Sequence, residues 1–349
     1  SDIHLAALRV SDGSEAWSAT LALPVVNASA LLTHDLNGPM RIAANRLVIT
    51  DFGDTATLYA FNVDPRDAIG NPFDPGQLAW SRPIGPASGG TPALLDLNFA
   101  VVVATYDSVL VPPGISTYVG FVRAFDPLNG APRWERTLGV NDGCFGGVTV
   151  SGFSVFGATY DFFGGRNNSR LFKLRGMDGG VVWTTACERS ASIPIVLPDG
   201  RVLLSGGIAG FGSTRVVQVF ADLGTSVAFV GELTSQAGLA LGGWDYQPAA
   251  SGERLYIGVA AGEQAPPFAE LQAYTLGEEP TQMPVLRESA EGVGGPPAIG
   301  SDGTLYSYGP VGLRAFFWTA LGDTNCDGVV SVGDIGPFVR ALTDPTGYI

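Results

Sequence analysis

The sequence predicts an all-β fold built from repeated four-stranded sheets, and three observations carry that prediction. The first is composition: 48 Gly and 24 Pro in 349 residues, with 46% apolar and only 15% charged side chains, describe a large core and many turns between short strands. The second is a recurring motif: an apolar residue, a variable one, a usually small one, an apolar one, a Gly-containing or acidic turn, then a large apolar residue. The copies read LAALRVSDGSEAW, VRAFDPLNGAPRW, LFKLRGMDGGVVW, VQVFADLGTSVAF and LQAYTLGEEPTQM, and Leu5 to Trp17, Val122 to Trp134, Leu171 to Trp183, Val217 to Phe229 and Leu271 to Met283 each span 12 positions. The third lies between the copies, where Gly- and Pro-punctuated runs of alternating apolar residues such as RIAANRLVITDFG, IPIVLPDGRVLLSGG and PPAIGSDGTLYSYG each read as two strands.

A sixth copy runs from Leu58 to Trp80, with ten extra residues in its turn, and a seventh begins at Leu313 and breaks off. Loops absorb such insertions at small entropic cost. A hairpin followed by the two strands of the motif makes a four-stranded unit repeating every 42 to 64 residues, the blade of a β-propeller. Blades apolar on both faces bury them only against neighbours, so the wheel has to close. Trp17, Trp80, Trp134, Trp183, Phe229 and Met283 are predicted to wedge between adjacent blades. Six blades result if the first motif lends its strands to the last hairpin. Seven result if residues precede Ser1, or if LRAFF is the third strand of its own blade beside an independent first blade.

The signature in VRAFDPLNGAPRW, degenerate elsewhere, resembles the repeat of pyrroloquinoline-quinone dehydrogenases and their non-catalytic relatives, among them the outer-membrane assembly lipoprotein of that type. The resemblance covers residues 1–318 and implies a propeller; most such relatives bind no quinone. A quinone dehydrogenase of this family would carry a vicinal cysteine pair, whereas Cys144 and Cys187 lie 43 apart.

Residues 319–349 change character. DTNCDGVVSVGD sets oxygen ligands at loop positions 1, 3, 5, 9 and 12 as Asp323, Asn325, Asp327, Ser331 and Asp334, with the Val329 carbonyl at position 7 and Gly328 at the tight bend. Six hard oxygens around one centre suit Ca2+. The terminal Asp and the absence of an entering helix resemble a dockerin repeat, whose loop runs straight into one helix, here DIGPFVRALTD with Pro337 in the first turn. Dockerins carry two such units and this chain shows one. Phe338 and Leu342, on an apolar stripe with Ile335 and Val339, are the expected contact with a partner, cohesin-like or a second copy in an oligomer or filament.

A net charge of −14 repels phosphate backbones and argues against nucleic acid. No run of about 18 apolar residues offers a membrane span. The start at Ser1 reads as a mature chain whose signal peptide has been removed, which places the protein outside the cell or on a bacterial surface. The positive charge is almost all Arg, with Lys173 the single lysine, a bias without an evident mechanism at this level. Cys144, Cys187 and Cys326 lack metal or redox spacing; a Cys144–Cys187 disulfide and three buried thiols are the two readings. Of two histidines, His34 stands beside Asp35, yet no GxSxG elbow accompanies them. The sequence therefore reads as a non-catalytic scaffold, with Ca2+ as its cofactor. The competing reading is a secreted carbohydrate-active hydrolase using opposed carboxylates drawn from Asp96, Asp107, Asp142, Asp161 and Asp245. Sequons at Asn27 and Asn167 and the aromatic runs at Tyr160–Phe163 and Ala315–Trp318 add glycosylation and packing or platform roles without deciding between them.

Overall fold

The computed structural model describes residues 3–9, 11–21, 26–32, 45–51, 53–66, 71–87, 92–95, 99–111, 115–140, 143–144, 146–160, 169–190, 192–205, 216–234, 240–241, 248–252, 254–260, 268–300 and 303–316. These form 26 strands in seven antiparallel sheets. The first sheet pairs β1 (Ile3–Leu8) with β2 (Glu15–Leu21). The second runs β3 (Val26–Leu32), β4 (Arg46–Asp51), β5 (Gly53–Asn62), β6 (Leu78–Ala87), and the third β7 (Ala93–Leu94), β8 (Val101–Val111), β9 (Ile115–Phe125), β10 (Pro132–Val140). The fourth is β11 (Val148–Ser151), β12 (Ser154–Ala158), β13 (Arg170–Arg175), β14 (Val181–Ala186); the fifth is β15 (Ile195–Val196), β16 (Arg201–Ser205), β17 (Val216–Asp222), β18 (Val227–Thr234). In the sixth, β19 (Ala240–Leu241) and β20 (Ala249–Ser251) both line β21 (Arg254–Ala260), followed by β22 (Phe268–Thr275) and β23 (Val285–Glu291). The seventh holds β24 (Ala298–Ile299), β25 (Leu305–Gly309) and β26 (Gly312–Phe316).

Each motif supplies the last two strands of its sheet, as the spacing predicts. Seven sheets are present among the described residues. Among the described residues β1 pairs with β2 alone, and LRAFF forms β26 on its own hairpin, which is the arrangement expected under the seven-unit alternative. The motif's turns close alike: Gly13, Gly130 and Gly179 donate N–H to the carbonyls of Arg9, Asp126 and Arg175, with φ of 70°, 68° and 68°. A left-handed residue at that point is what makes glycine necessary. In the second sheet the ten-residue insertion leaves this closure intact, since Gly76 still donates to the Asn62 carbonyl at 2.8 Å. The inserted loop is held by buried Arg46 and Asn62, whose side chains meet at 2.5 Å.

The core is a series of layers between sheets. Val48, Leu58 and Trp80 meet Val101, Val103 and Phe125; Val102, Val122 and Ala124 meet Val155, Phe172 and Leu174; Leu171 and Trp183 meet Val202, Leu204 and Phe220. Leu203, Val217 and Val219 meet Leu255, Ile257 and Tyr274, and Tyr256 and Leu271 meet Leu305. This geometry overturns the Cys144–Cys187 disulfide. Both are buried thiols, Cys144 in the layer toward the third sheet and Cys187 in the layer toward the fifth, so the fourth sheet stands between them.

Tryptophans seal the layers. Trp17 lies on Gly76, Trp80 on Gly130 and Trp134 on Gly179, each a turn glycine of the following sheet that a Cβ would bring within 3.0 Å of the indole. Trp80 Nε1 donates to the Pro127 carbonyl at 3.0 Å and Trp134 Nε1 to that of Gly176 at 2.7 Å. At the next junction Trp183 Nε1 donates to Asp222 Oδ1 at 2.9 Å, while Lys173 Nζ meets Asp222 Oδ2 at 2.6 Å and the Gly224 carbonyl at 3.0 Å.

Of the wedges predicted at Phe229 and Met283, the first is absent, whereas Met283 does pack between the fifth and sixth sheets. A β-bulge precedes the tryptophan in each of the first four sheets, so that Ala7 faces Trp17, Ala60 Trp80, Ala124 Trp134 and Lys173 Trp183. The same register in the fifth and sixth sheets puts Gly231 opposite Val219 and Glu288 opposite Ala273. Counting twelve positions missed this because the bulge keeps its place while the turn before it is two residues longer in the fifth sheet and five longer in the sixth than in the first, third and fourth. Phe229 is 52% exposed. Met283, from the turn of the sixth sheet, reaches back so that a Cβ on Gly231 would lie 2.7 Å from its Sδ. Knob and hole have changed partners at this junction.

Gly231→Trp alone is expected to destabilise the protein by about 1–3 kcal/mol through overpacking, and Met283→Ala by about 2 kcal/mol through a cavity. Combining them should recover part of the loss, giving a favourable coupling of about 1 kcal/mol in denaturant titrations; strict additivity would refute the exchange. Asp222→Ala should cost about 3–5 kcal/mol by stranding the ammonium of Lys173. Because Lys173 is the single lysine and only 8% exposed, an amine-reactive label should modify it in the variant or in denaturant and spare it in the native protein.

Candidate functional site

The residues singled out for calcium and for the partner contact, Asp323 to Asp334 with Phe338 and Leu342, lie outside the described residues, as do Cys326, Asp96, Asp142, Asp161, Asp245, His34 and Asn167. Asp107 sits in β8, His4 in β1 and Asn27 in β3, with only their backbones described. Among the described residues no group of three or more His, Cys, Asp or Glu could hold a metal ion. No helix there is long and apolar enough to cross a membrane.

What the described polar groups do is join strands and sheets. Arg123 donates to the Ile84 carbonyl of the second sheet at 2.6 Å, to Thr105 Oγ1, and pairs with Glu135 at 2.6 Å. Arg82 reaches the Gly130 carbonyl of the third sheet at 2.8 Å. Arg201, fully buried, pairs with Asp199 at 2.6 Å and sends its two terminal nitrogens to the carbonyls of Gly277 and Gln282 in the turn of the sixth sheet. A planar fork can serve two carbonyls and a carboxylate at once, which an ammonium does less well, and this gives the arginine bias a structural use. Gln218 accepts from the Glu188 N–H at 2.7 Å and donates to Glu232 at 3.1 Å; Gln272 accepts from Tyr274 at 2.7 Å. Arg123, Gln218 and Gln272 all occupy the position that reads as variable in the motif. Their polarity inside apolar strands is the signal by which sequence could have found them.

Burial sets the titration of the remaining groups. It pushes the Cys144 thiol up to about 12, so this sulfur is not a nucleophile at neutral pH. Burial, with Glu270 nearby, raises Tyr274 to about 12 as well. Asp51 is raised by burial, against the N–H of Thr57 and the hydroxyl of Tyr59 at 3.3 Å, which favour its charge.

Two surface features stand apart from this sealed interior. The outward face of the seventh sheet carries Tyr306, Tyr308 and Leu313, exposed by 37%, 45% and 72%, while Leu305 and Phe316 on its other face meet the sixth sheet. The second is a cleft of about 210 Å³ on the sixth sheet, lined by Arg254, Ala273, Tyr274, Thr275, Arg287 and Glu288. Arg287 is the bulged residue of β23, and its Nε reaches Thr275 Oγ1 at 3.2 Å.

Sheets of four strands stacked face to face, sealed by a recurring indole, define a β-propeller. Among solved structures that of BamB from Moraxella catarrhalis is similar, with a TM-score of 0.55 and 16% identity over 89% of this chain and 78% of that one. In all, 275 solved chains match, so the shared fold does not select one function. Neither a protein-family model nor a curated protein sequence matches the chain.

Because the folded state holds a proton on Asp51 more tightly than the unfolded chain does, this residue's stabilising contribution is present at low pH and is lost as pH rises through its raised folded value. Asp51→Asn, which keeps an acceptor for Thr57, should flatten the part of the stability profile that falls as pH rises above the ordinary carboxylate range. An unaltered profile in thermal melts would contradict the assignment.

Proposed function

We propose that this chain is an extracellular, non-catalytic β-propeller scaffold that attaches a protein partner through a calcium-ordered C-terminal segment. The observation that carries the reading is the outward face of the seventh sheet, on which Tyr306, Tyr308 and Leu313 are exposed side by side where the chain passes toward the tail. Exposed apolar surface of this kind is where soluble proteins meet partners. The resemblance of the repeat to non-catalytic quinoprotein-like propellers supports the same reading.

In this mechanism Asp323, Asn325, Asp327, Ser331 and Asp334 hold Ca2+ together with the Val329 carbonyl, and Phe338 and Leu342 make the contact with a cohesin-like protein or another copy. The donor set fits the ion: it is all oxygen, with three carboxylates, and extracellular calcium in the millimolar range fills even a modest site. Ion binding contributes the free energy that orders the loop.

Chelation should release the partner or dissociate an oligomer while the propeller stays folded, as read by light scattering and circular dichroism. Asp327→Ala should weaken calcium binding by at least about tenfold in calorimetry. Unchanged assembly and unchanged calcium affinity together would sink the proposal, and turnover on a panel of glycans would favour the hydrolase.

A further inference from the structure

We infer that Phe99 and Phe153, with the Arg133–Asp126 ion pair beside them, form a binding subsite for a neutral sugar at one end of the stacked sheets. The inference goes beyond the scaffold reading and uses none of the residues assigned to calcium or to the partner contact.

The cluster begins in the sequence. At the hairpin joining the first two strands, the fifth, sixth and seventh sheets carry PDG, SGE and SDG, the polar and glycine residues suited to a tight turn. The third and fourth sheets place phenylalanine at this point. Phe99 stands just before β8, and Phe153 follows Gly152 between the paired Ser151 and Ser154. In an antiparallel sheet the first hairpin and the third lie at the same end, which brings Asp126 and Arg133, flanking the last turn of the third sheet, to these rings.

The two rings meet edge to face, with centroids 6.2 Å apart and planes at 65°. The Arg133 guanidinium lies 4.4 Å from the centre of the Phe99 ring and pairs with Asp126 at 2.7 Å. Phe153 is 41% exposed, and its main chain is held from behind. Its carbonyl accepts from the Gly176 N–H at 2.7 Å, and the Gly176 carbonyl accepts from Trp134 Nε1 at 2.7 Å. A Cβ on Gly176 would stand 2.8 Å from the Phe153 carbonyl, so glycine is what lets the two segments approach this closely. A ring positioned in advance reduces the ordering cost of binding.

The chemistry selects the ligand. Arg133 and Asp126 neutralise each other, so the cluster gives neither an anion nor a cation a net attraction. An aliphatic ligand covering the rings would also take the ion pair out of water without replacing its hydrogen bonds, which is unfavourable. A sugar meets both demands. Its C–H face lies against the electron-rich face of an aromatic ring. Its hydroxyls accept from the Arg133 guanidinium, whose N–H groups outnumber its single bond to Asp126, and donate to the Asp126 carboxylate, which already accepts from Arg133 and the Leu128 N–H.

Saturation-transfer NMR and calorimetry on the full-length protein, with cellohexaose, xylohexaose, maltohexaose and chitohexaose as probes, test this. At least one should bind with a dissociation constant of about 1 mM or tighter. Its affinity should be the same at about 0.05 and 0.5 M salt, as expected of an uncharged ligand. Phe153→Ala and Phe153→Leu should each weaken binding at least about tenfold, because leucine restores apolar area without an aromatic face, whereas Phe153→Trp should preserve it. Circular dichroism should show all three variants folded, since the bond to Gly176 is made by the main chain. No transfer to any of the four sugars, or binding indifferent to Phe153, would overturn the inference. Phe153-dependent binding of a proline-rich decapeptide in place of the sugars would overturn it in favour of a protein partner. Sugar binding unchanged after chelation supports this site and leaves the calcium reading to its own test; sugar binding lost on chelation would assign it to the calcium segment and overturn the inference.

Discussion

The constraint on which the structure depends is that each sheet is apolar on both faces. Such a sheet has no interior of its own; its core forms only when a neighbour covers it, and the layers between successive sheets are where the buried Val, Leu and Phe side chains lie. The other contacts at the junctions serve that covering. An indole set on a turn glycine excludes water from the outer end of the layer, and its N–H is satisfied by the turn it covers. Where the indole is replaced, the space is retained and filled from the other side, as Met283 does at Gly231.

This constraint also explains where charge is tolerated. Asp222 accepts from Trp183, Lys173 and the Gly224 N–H, so a nearly buried carboxylate has its acceptor capacity used and the one lysine is neutralised within the same contact. Arg201 is fully buried for the same reason, with a carboxylate and two carbonyls around it. Such groups contribute register more than stability, because their attraction is offset by lost hydration. They fix which turn meets which strand, a choice that apolar faces alone leave loose.

The architecture was legible in the sequence because its cause is periodic. Alternation marked the strands, the motif marked the last two strands of each sheet, and the first four tryptophans stood at the junctions expected of them. What escaped was whatever depends on an irregularity. The longer turns of the fifth and sixth sheets moved the structurally equivalent position on from Phe229 and Met283 to Gly231 and Glu288. Residue spacing left open whether the first motif pairs with the last hairpin; among the described residues β1 pairs with β2 and β26 with β25. A disulfide between Cys144 and Cys187 was excluded by facing, since the two sulfurs sit on opposite sides of one sheet. The calcium loop is the converse case: its ligand spacing is the sharpest local pattern in the chain, yet it lies beyond the described residues, so its support is the chemistry of its donors.

The place where the repeat breaks is also where function is most economically sought. In the complete sheets the turn before the outer strand is consumed by the junction with the preceding sheet, and Arg201 shows how tightly such a turn can be held. Beyond the seventh sheet the sequence reaches, seven residues after Phe316, Asp323 and a run of hard oxygen donors. Just before that point, Tyr306, Tyr308 and Leu313 stand exposed together on the outward face of the seventh sheet. Under the proposed reading, a cation-dependent segment there would make attachment respond to the calcium of the surrounding medium. In that reading the repeat is the scaffold and the segment after it the point of attachment.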